Sequence, residues 1–236
     1  MMQRTLTVTA LSVLTAFASA HAAEALTLTS STGSWGTPAG TSVYNYQTVG
    51  AENQIRWGDP ATSNGPSGLG FTGVGSTPLT IGSIFQLGSL RHFNNPIYAG
   101  TAASSVGLSV MLNFAEIASE VFNFTMTVDE TPNSGTCAYF SLTPCADKIA
   151  WSNALGDRSF SYGGKSYTLE LAGFKSSPTS DLVSDFISQE GGTSEAYLYG
   201  KLSEVPQVPQ ESTPEPSVVF GLVGLAALGL RRRLAH

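Results

Sequence analysis

The sequence reads VGLSVMLNF at residues 106–114 and FNFTMTV at residues 122–128. In each run every second residue is apolar, and most of the residues between are polar. A period of two is typical of a β-strand with one face on a core and one face in water. These two runs therefore predict neighbouring strands of an antiparallel sheet. The predicted inward-facing residues are Val106, Leu108, Val110, Leu112, Phe114, Phe122, Phe124, Met126 and Val128.

Shorter alternating runs extend the same pattern along the chain. Two further strand candidates are Val43–Val49 and Ile81–Leu90. A third strand after the two long runs has one face formed by Tyr167, Leu169 and Leu171. A fourth strand has an inner face formed by Ala196, Leu198, Gly200 and Leu202. Turns rich in Gly, Pro and Asn separate them, and the chain has 25 Gly with only 12% charged residues. This composition predicts an all-β protein, an antiparallel, jelly-roll-like β-sandwich.

One segment allows two interpretations. Leu182, Val183, Phe186 and Ile187 have helical spacing, which predicts a short helix. Alternatively, Val183–Ser188 is a strand that turns through Gly191 and Gly192 into the fourth strand, and we favour this interpretation.

The N-terminus has the pattern of a secretory signal peptide over residues 1–23. Arg4 is followed by an apolar stretch from Leu6 to Phe17 and then by small residues at cleavage-site spacing, Ala18-Ser19-Ala20 and Ala20-His21-Ala22. A buried N-terminal helix is the alternative. The order of charge, apolar run and small residues favours a signal helix that is removed on export.

The C-terminus has a second helix-forming apolar run. Residues 205–213 form a Pro-rich linker, and an uncharged run from Ser217 to Leu230 ends at Arg231, Arg232 and Arg233. About 13 apolar residues make a helix of roughly 20 Å, short for a bilayer core of about 30 Å. The arginines would stay in the cytoplasm. Such a short helix suits a transient membrane anchor, with an ordinary tail anchor as the alternative.

The tail at residues 214–236 resembles a known sorting signal. The tail contains, in order, Pro214-Glu215-Pro216, a Gly/Ala/Leu-rich run and the terminal arginines. This order resembles the PEP-CTERM tail found in Gram-negative bacteria that make exopolysaccharide. The resemblance implies processing by an exosortase, with Pro214, Glu215 and Pro216 recognised and Arg231, Arg232 and Arg233 as the stop. The implied route is export, signal peptidase cleavage, transient anchoring in the inner membrane, and release to the cell surface or extracellular matrix.

The predicted domain, residues 24–204, also resembles a family. Five short segments occur in the order seen in the choice-of-anchor K domain: Ser34-Trp35-Gly36, Ile55-Arg56-Trp57-Gly58, Ser67-Gly68-Leu69-Gly70-Phe71, Phe85-Gln86-Leu87-Gly88 and His92-Phe93-Asn94-Asn95-Pro96-Ile97. The segment Asp129-Glu130-Thr131-Pro132-Asn133 follows them. The resemblance implies a surface protein and brings no catalytic residues.

Charge and cysteine usage fit an exported domain. Residues 24–213 carry 16 Asp and Glu against 7 Lys and Arg, a net charge of −9 that disfavours binding to nucleic acid. Cys137 and Cys145 are the only cysteines, and in an exported chain they predict a disulfide rather than a redox pair.

Two candidate sites compete with ordinary structural roles. Asp129, Glu130, Asn133 and Asp147 have the oxygen ligands that Ca²⁺ prefers. We favour the alternative, a turn in which Asp and Asn accept backbone N–H bonds, and we expect no resident cofactor. His92 is the sole histidine of residues 24–213, and no GxSxG motif accompanies it. We expect it to cap a turn or bond a loop.

Aromatic residues offer a surface for sugars. Stacking candidates are Trp35, Trp57, Trp151, Tyr44, Tyr46 and Tyr98, although tryptophan in a sandwich usually lies in the core. Tyr197 and Tyr199 alternate outward and are the better surface candidates.

The sequence thus predicts an exported, exosortase-processed protein with a non-catalytic structural or adhesive role. An exopolysaccharide-binding module is the alternative. A hydrolase is a third reading, which needs two facing carboxylates or His92 against a serine.

Overall fold

The structure is a computed structural model that describes residues 26–142, 144–152 and 159–206. The predicted signal peptide, the linker beyond its first two residues, and the sorting tail with Pro214, Glu215, Pro216, Arg231, Arg232 and Arg233 lie outside these ranges. Within the described ranges, no helix has the length and apolarity needed to span a membrane.

The described chain forms thirteen β-strands. They are β1 (Leu26–Trp35), β2 (Tyr44–Val49), β3 (Glu52–Trp57), β4 (Ser67–Gly73), β5 (Thr77–Leu79), β6 (Ile84–Asn94), β7 (Ser105–Phe114), β8 (Glu120–Asp129), β9 (Asp147–Ser152), β10 (Ser159–Tyr162), β11 (Lys165–Lys175), β12 (Asp185–Ser188) and β13 (Gly192–Glu204).

Two curled antiparallel sheets pack face to face. The six-stranded sheet has the order β12-β9-β8-β7-β1-β5, and the seven-stranded sheet has the order β10-β11-β13-β6-β4-β3-β2. Because the chain passes between the sheets repeatedly, strands far apart in sequence become neighbours, as when β1 pairs with β7 and β6 with β13. The predicted all-β sandwich is therefore confirmed.

The alternating runs supply the core as predicted. The nine apolar residues of β7 and β8 singled out in the sequence are all buried, and the same holds for Leu169, Ala196, Leu198 and Leu202 on the other sheet. Burying a large apolar side chain contributes about 1.5–3 kcal/mol, so this repeated stripe is the main stabilising term.

Strand boundaries differ from the prediction where irregular backbone intervenes. The predicted strand at Ile81–Leu90 begins only at Ile84 and runs on to Asn94, because a turn at Gly82 occupies its start. In β11 a register shift between Leu171 and Gly173 moves Leu171 out of the fully buried row and places Phe174 in it.

The ambiguous segment is a strand. Asp185–Ser188 pairs with β9 in the six-stranded sheet, which confirms the interpretation we favoured over a helix. The chain then turns at Gly191 and enters β13 in the opposite sheet. The turn therefore joins the two layers rather than closing a hairpin within one of them.

Candidate functional site

At one end of the sandwich the inner face of the six-stranded sheet becomes polar. Ser188 of β12 and Asp147 of β9 are direct cross-strand partners, and both are fully buried. Val128 of β8 pairs with Ile149 of β9, and both side chains point into the core. Because side chains alternate along a strand, Glu130, two residues after Val128, lies on the same inner side as Asp147, two residues before Ile149. Glu130, Asp147 and Ser188 thus lie side by side where β8, β9 and β12 end or begin, and we call them the polar row.

The seven-stranded sheet also turns polar at its inner face. Trp57 ends β3, and His92 and Asn94 lie near the end of β6, all three fully buried. Asn94 Nδ2 donates a 2.8 Å hydrogen bond to the carbonyl of Ser188, so the two sheets are joined at this point. The Trp57 indole N–H lies near Glu130, outside hydrogen-bond geometry but close enough to lower the pKa of that carboxyl.

A third carboxylate enters from the connection between β12 and β13. Glu190 is almost wholly buried, and the nearby Asn133 side chain and Gly191 backbone act to lower the pKa of its carboxyl. We define the polar end as Glu130, Asp147, Ser188, Glu190 and Asn94. Four of its oxygens are buried without a hydrogen-bond partner among the described residues: Glu130 Oε2, Asp147 Oδ2, Ser188 Oγ and Asn94 Oδ1.

Burial and repulsion by neighbouring carboxylates raise the pKa of all three carboxyls, and for Asp147 the repelling group is Asp129. Desolvation and the neighbouring Asp147 and Glu190 raise the pKa of Glu130 to about 8. Desolvation raises the pKa of Glu190 to about 7, with a further contribution from Asp147. Asp147 reaches only about 6, because two hydrogen bonds from Thr131 oppose its desolvation.

His92 is a core residue, which corrects the prediction that it caps a turn or bonds a loop. Its ring stacks on Trp57 with centroids 6.3 Å apart, and neither nitrogen has a hydrogen-bond partner among the described residues. Desolvation lowers its pKa to about 3, with a smaller contribution from Arg56. His92 therefore stays neutral and out of reach of solvent.

The predicted calcium ligands divide between two faces of the sheet. Glu130 and Asp147 lie at the polar end, and the Asn133 side chain lies near Glu190 of the same group. Asp129 instead lies on the exposed side, where it accepts a hydrogen bond from the Tyr139 hydroxyl and faces Lys148. Period two explains the separation, because consecutive residues of a strand point to opposite faces.

The predicted disulfide joins Cys137 and Cys145 and closes the loop between β8 and β9. Phe140 and Leu142 in this loop are 79% and 78% exposed. Gln189 fixes the loop against the turn before β13, since its side chain accepts from the Leu142 N–H and donates to the Phe140 carbonyl. The loop thus presents two apolar side chains on a tethered backbone.

The aromatic candidates divide into core and surface. Trp57 is fully buried, and Trp35 and Trp151 pack partly buried against the core. Tyr197 and Tyr199 are half-buried rather than the most exposed tyrosines, which corrects the preference given to them. Tyr46 and Tyr98, at 50% and 62% exposure, offer more surface.

A cleft of about 460 Å³ lies along the edge formed by β1, β2 and β3. Trp35 and Tyr46 supply its aromatic lining, and Gln47, Thr48, Asn53 and Gln54 supply polar groups. The indole N–H of Trp35 donates to the Asn53 carbonyl at 2.8 Å, and the Gln47 and Gln54 amides bond each other at 2.6 Å. Aromatic rings beside amides suit the apolar faces and hydroxyls of a sugar.

No family model matches the chain, and no curated protein matches it.

Sequence reasoning missed Glu190, Ser188 and Asn94 as members of the polar end. Glu190 directly precedes Gly191 and Gly192, a pattern that indicates a turn and not a buried acid. The only available signal was the end of the β6 alternation, where His92 and Asn94 replace apolar residues at inward-facing positions.

Proposed function

We propose that this is an exported, exosortase-processed surface or matrix protein whose sandwich domain has a non-catalytic structural or adhesive role. The ordered C-terminal tail, Pro214-Glu215-Pro216 followed by an apolar run and Arg231–Arg233, carries the proposal. The disulfide adds support, because disulfides form and persist outside the reducing cytoplasm. The tethered loop with exposed Phe140 and Leu142 is the surface best placed for an adhesive contact.

Intact mass and localisation in a bacterium with and without its exosortase test this proposal. We expect a mass lacking both ends, and release past the inner membrane only when the exosortase is present. A tail that stays on the protein in both strains would make it an ordinary anchor and would overturn the matrix role.

Glu215→Gln and Glu211→Gln form a matched pair for the same assay. Each substitution removes one carboxylate, and the two positions are four residues apart, but only Glu215 belongs to the tripeptide Pro214-Glu215-Pro216. We expect Glu215→Gln to accumulate unprocessed protein and Glu211→Gln to be processed normally. Equal processing of the two variants would show that the tripeptide is not read.

Binding to exopolysaccharide is the second candidate function, favoured by the cleft at β1, β2 and β3. Tyr46 is half exposed there beside Trp35, and five further polar residues line the same cleft. The net charge of −9 over residues 24–213 favours a neutral polysaccharide over an acidic one.

Affinity electrophoresis in gels containing the host exopolysaccharide tests the second candidate. We expect Tyr46→Ala to weaken retardation by about tenfold, since one aromatic contact contributes about 1 kcal/mol or somewhat more. Tyr98→Ala is the control, because Tyr98 is more exposed and lies outside the cleft. Equal retardation of the two variants, or none for the unmodified protein, would contradict sugar binding at this cleft.

A further inference from the structure

The strand β2 lies at one edge of the seven-stranded sheet and pairs only with β3 among the described strands. Just beyond the paired residues, the Gly58 N–H donates a 3.0 Å hydrogen bond to the Val43 carbonyl. Backbone groups alternate in direction along an antiparallel strand. The N–H and carbonyl groups of Tyr44, Tyr46 and Thr48 therefore point away from β3, where they have no backbone partner within the described part of the chain.

The other three sheet edges among the described strands are shorter or interrupted. The edge strand β5 has three residues and contains Pro78, and the edge strands β10 and β12 have four residues each. In contrast, β2 has six residues, no proline and no charged residue, and its pairing with β3 has no bulge. Proteins usually protect an edge by such devices, so β2 is the edge that is open to another strand.

Apolar side chains flank the open backbone groups. Val43, Tyr44, Tyr46 and Val49 are 39%, 38%, 50% and 57% exposed. The two tyrosine rings contact each other edge to face, with centroids 5.7 Å apart. Exposed apolar surface that lies together in this way is typical of an interaction site.

The sequence VYNYQTV at residues 43–49 is complementary to itself. Two copies can pair in antiparallel orientation about a two-fold axis at Tyr46. The opposing residues are then Val43 with Val49, Tyr44 with Thr48, Asn45 with Gln47, and Tyr46 with its own counterpart. Valine meets valine, amide meets amide and tyrosine meets tyrosine, and no like charges face each other. A second copy of this chain is therefore the strand that fits this edge.

The open backbone groups select the position of the axis. With the axis at Tyr46, this residue and its counterpart exchange two hydrogen bonds, and each of the two Tyr44–Thr48 pairs exchanges two more, about six in total. An axis at Asn45 or Gln47 allows only about four, because one outward-pointing residue of each copy then lies opposite a residue outside the strand.

We propose that β2 pairs with β2 of a second copy about a two-fold axis at Tyr46, which joins two seven-stranded sheets into one continuous sheet. A single strand edge is a small interface, so we expect a weak, reversible dimer with a Kd of about 10–100 µM. The proposal does not rest on export or on sugar binding. Dimerisation would compete with sugar binding, because Tyr46, Gln47 and Thr48 also line the cleft.

Cysteine crosslinking of the purified exported protein tests the register. In the proposed dimer, Tyr46→Cys places the two Cα atoms about 5.5 Å apart, within disulfide range. Thr48→Cys is the matched control, because its two Cα atoms are about 14 Å apart in this register. The native cysteines are already bonded to each other.

Under mild oxidation we expect a covalent dimer from Tyr46→Cys and none from Thr48→Cys. Tyr98→Cys, at a 62% exposed position outside β2, controls for random collision. Equal crosslinking of the three variants, or none at residue 46, would overturn the proposal.

Sedimentation equilibrium measures the association without a crosslink. Thr48→Pro removes an outward-pointing N–H and leaves the hydrogen bonds to β3 in place, so we expect it to weaken dimerisation by at least about tenfold. Thr48→Ser keeps that N–H and is expected to dimerise as the unmodified protein does. Thermal unfolding checks that both variants fold. A monomer mass for the unmodified protein at about 500 µM, or equal Kd values for it and Thr48→Pro, would contradict edge pairing.

Salt dependence gives an independent readout. Residues 24–213 carry a net charge of −9, whereas residues 43–49 carry none. Two copies therefore repel each other at long range without ion pairs at the contact, and we expect Kd to fall as NaCl rises from about 20 mM to 0.5 M. A Kd that rises with salt would place the contact at charged groups outside β2.

Hydrogen exchange distinguishes a second copy from another occupant of the edge. We expect the amides of Tyr44, Tyr46 and Thr48 to exchange rapidly at about 5 µM protein and slowly at about 500 µM. Slow exchange at both concentrations would show that a segment of the same chain covers the edge, and the proposed dimer would be wrong.

Discussion

Single ionisable residues set the pH response of this fold, and His92 is the clearest case. It is buried on Trp57, and its pKa of about 3 lies far below the ordinary value of 6.5. The unfolded chain therefore binds a proton between pH 6.5 and pH 3 that the folded chain does not. Stability contributed by neutral His92 is present above pH 6.5 and is lost as pH falls through this window.

Replacing His92 with Phe is expected to remove this acid sensitivity. Between pH 7 and pH 5 the unmodified protein loses about 2 kcal/mol of unfolding free energy through His92, and His92→Phe does not. Urea unfolding of both proteins at the two pH values measures the difference. A parallel loss in both proteins would show that His92 is not the group responsible.

The carboxyls of the polar end act in the opposite direction. The folded-state pKa of Glu130 is raised to about 8, so the folded chain binds a proton that the unfolded chain releases above about pH 4.5. This contribution to stability is present at low pH and falls as pH rises toward 8.

Glu130→Gln isolates the carboxyl contribution. The variant keeps the size of the side chain and removes its charge, so we expect it to be more stable than the unmodified protein at pH 8 and nearly equal at pH 5. Unfolding midpoints at the two pH values provide the measurement. A variant that is less stable at pH 8 would contradict the stated direction.

At the scale of elements, close approach between strands of different sheets depends on glycine. Ser31 of β1 donates its N–H to the Val74 carbonyl and accepts from the Val74 N–H through Oγ, which joins the two sheets at that corner. A Cβ on Gly73, the last residue of β4, would overlap the Ser31 carbonyl oxygen. Backbone rather than a movable side chain opposes the addition.

Gly73→Ala is therefore expected to lower the unfolding free energy by about 2 kcal/mol, as overpacking usually does. Gly107→Ala is the matched control, because the nearest atom to its Cβ, the Phe124 carbonyl oxygen, is 4.0 Å away. We expect the control to change stability by less than about 1 kcal/mol. Equal losses in chemical denaturation would point to strand propensity rather than close packing.

The loop between β8 and β9 depends on its covalent link. Cys137 and Cys145 close a loop of nine residues, for which the chain-entropy model gives about 2.5 kcal/mol. We expect the double variant Cys137→Ser/Cys145→Ser to lose about this amount and to become insensitive to reductant. An unchanged denaturation midpoint would mean that Gln189 and the buried Thr131 hold the loop without the disulfide.

At the scale of the whole molecule, the described core lies entirely between Leu26 and Leu202. β13 is the last strand, and it pairs with both β6 and β11 along most of its length. All the strands that contribute to the described core therefore end by residue 204.

A chain of residues 24–206 is accordingly expected to unfold at the same temperature as residues 24–236, as measured by calorimetry. A chain ending at residue 198 removes the buried Leu202 and is expected not to fold cooperatively. A large drop in Tm for residues 24–206 would show that the linker or tail contributes to the core.

Patterns local in sequence determined much of this protein. The alternation of β7 and β8, the inner face of β13 and the pairing of the only two cysteines could be read directly, because a strand's period and a short loop involve neighbouring residues. The two end signals are also local patterns, and they remain predictions for the exported chain.

Only the tertiary structure decided the polar end. Glu130 follows β8, Asp147 begins β9 and Glu190 lies between β12 and β13. Their meeting depends on β8, β9 and β12 pairing in one register while β6 closes over them. Alternation predicts which face a residue takes but not where the apolar core ends along that face. Strand pairing over long sequence separations fixes that point, so the burial of these carboxyls and of His92 could not be predicted from the sequence.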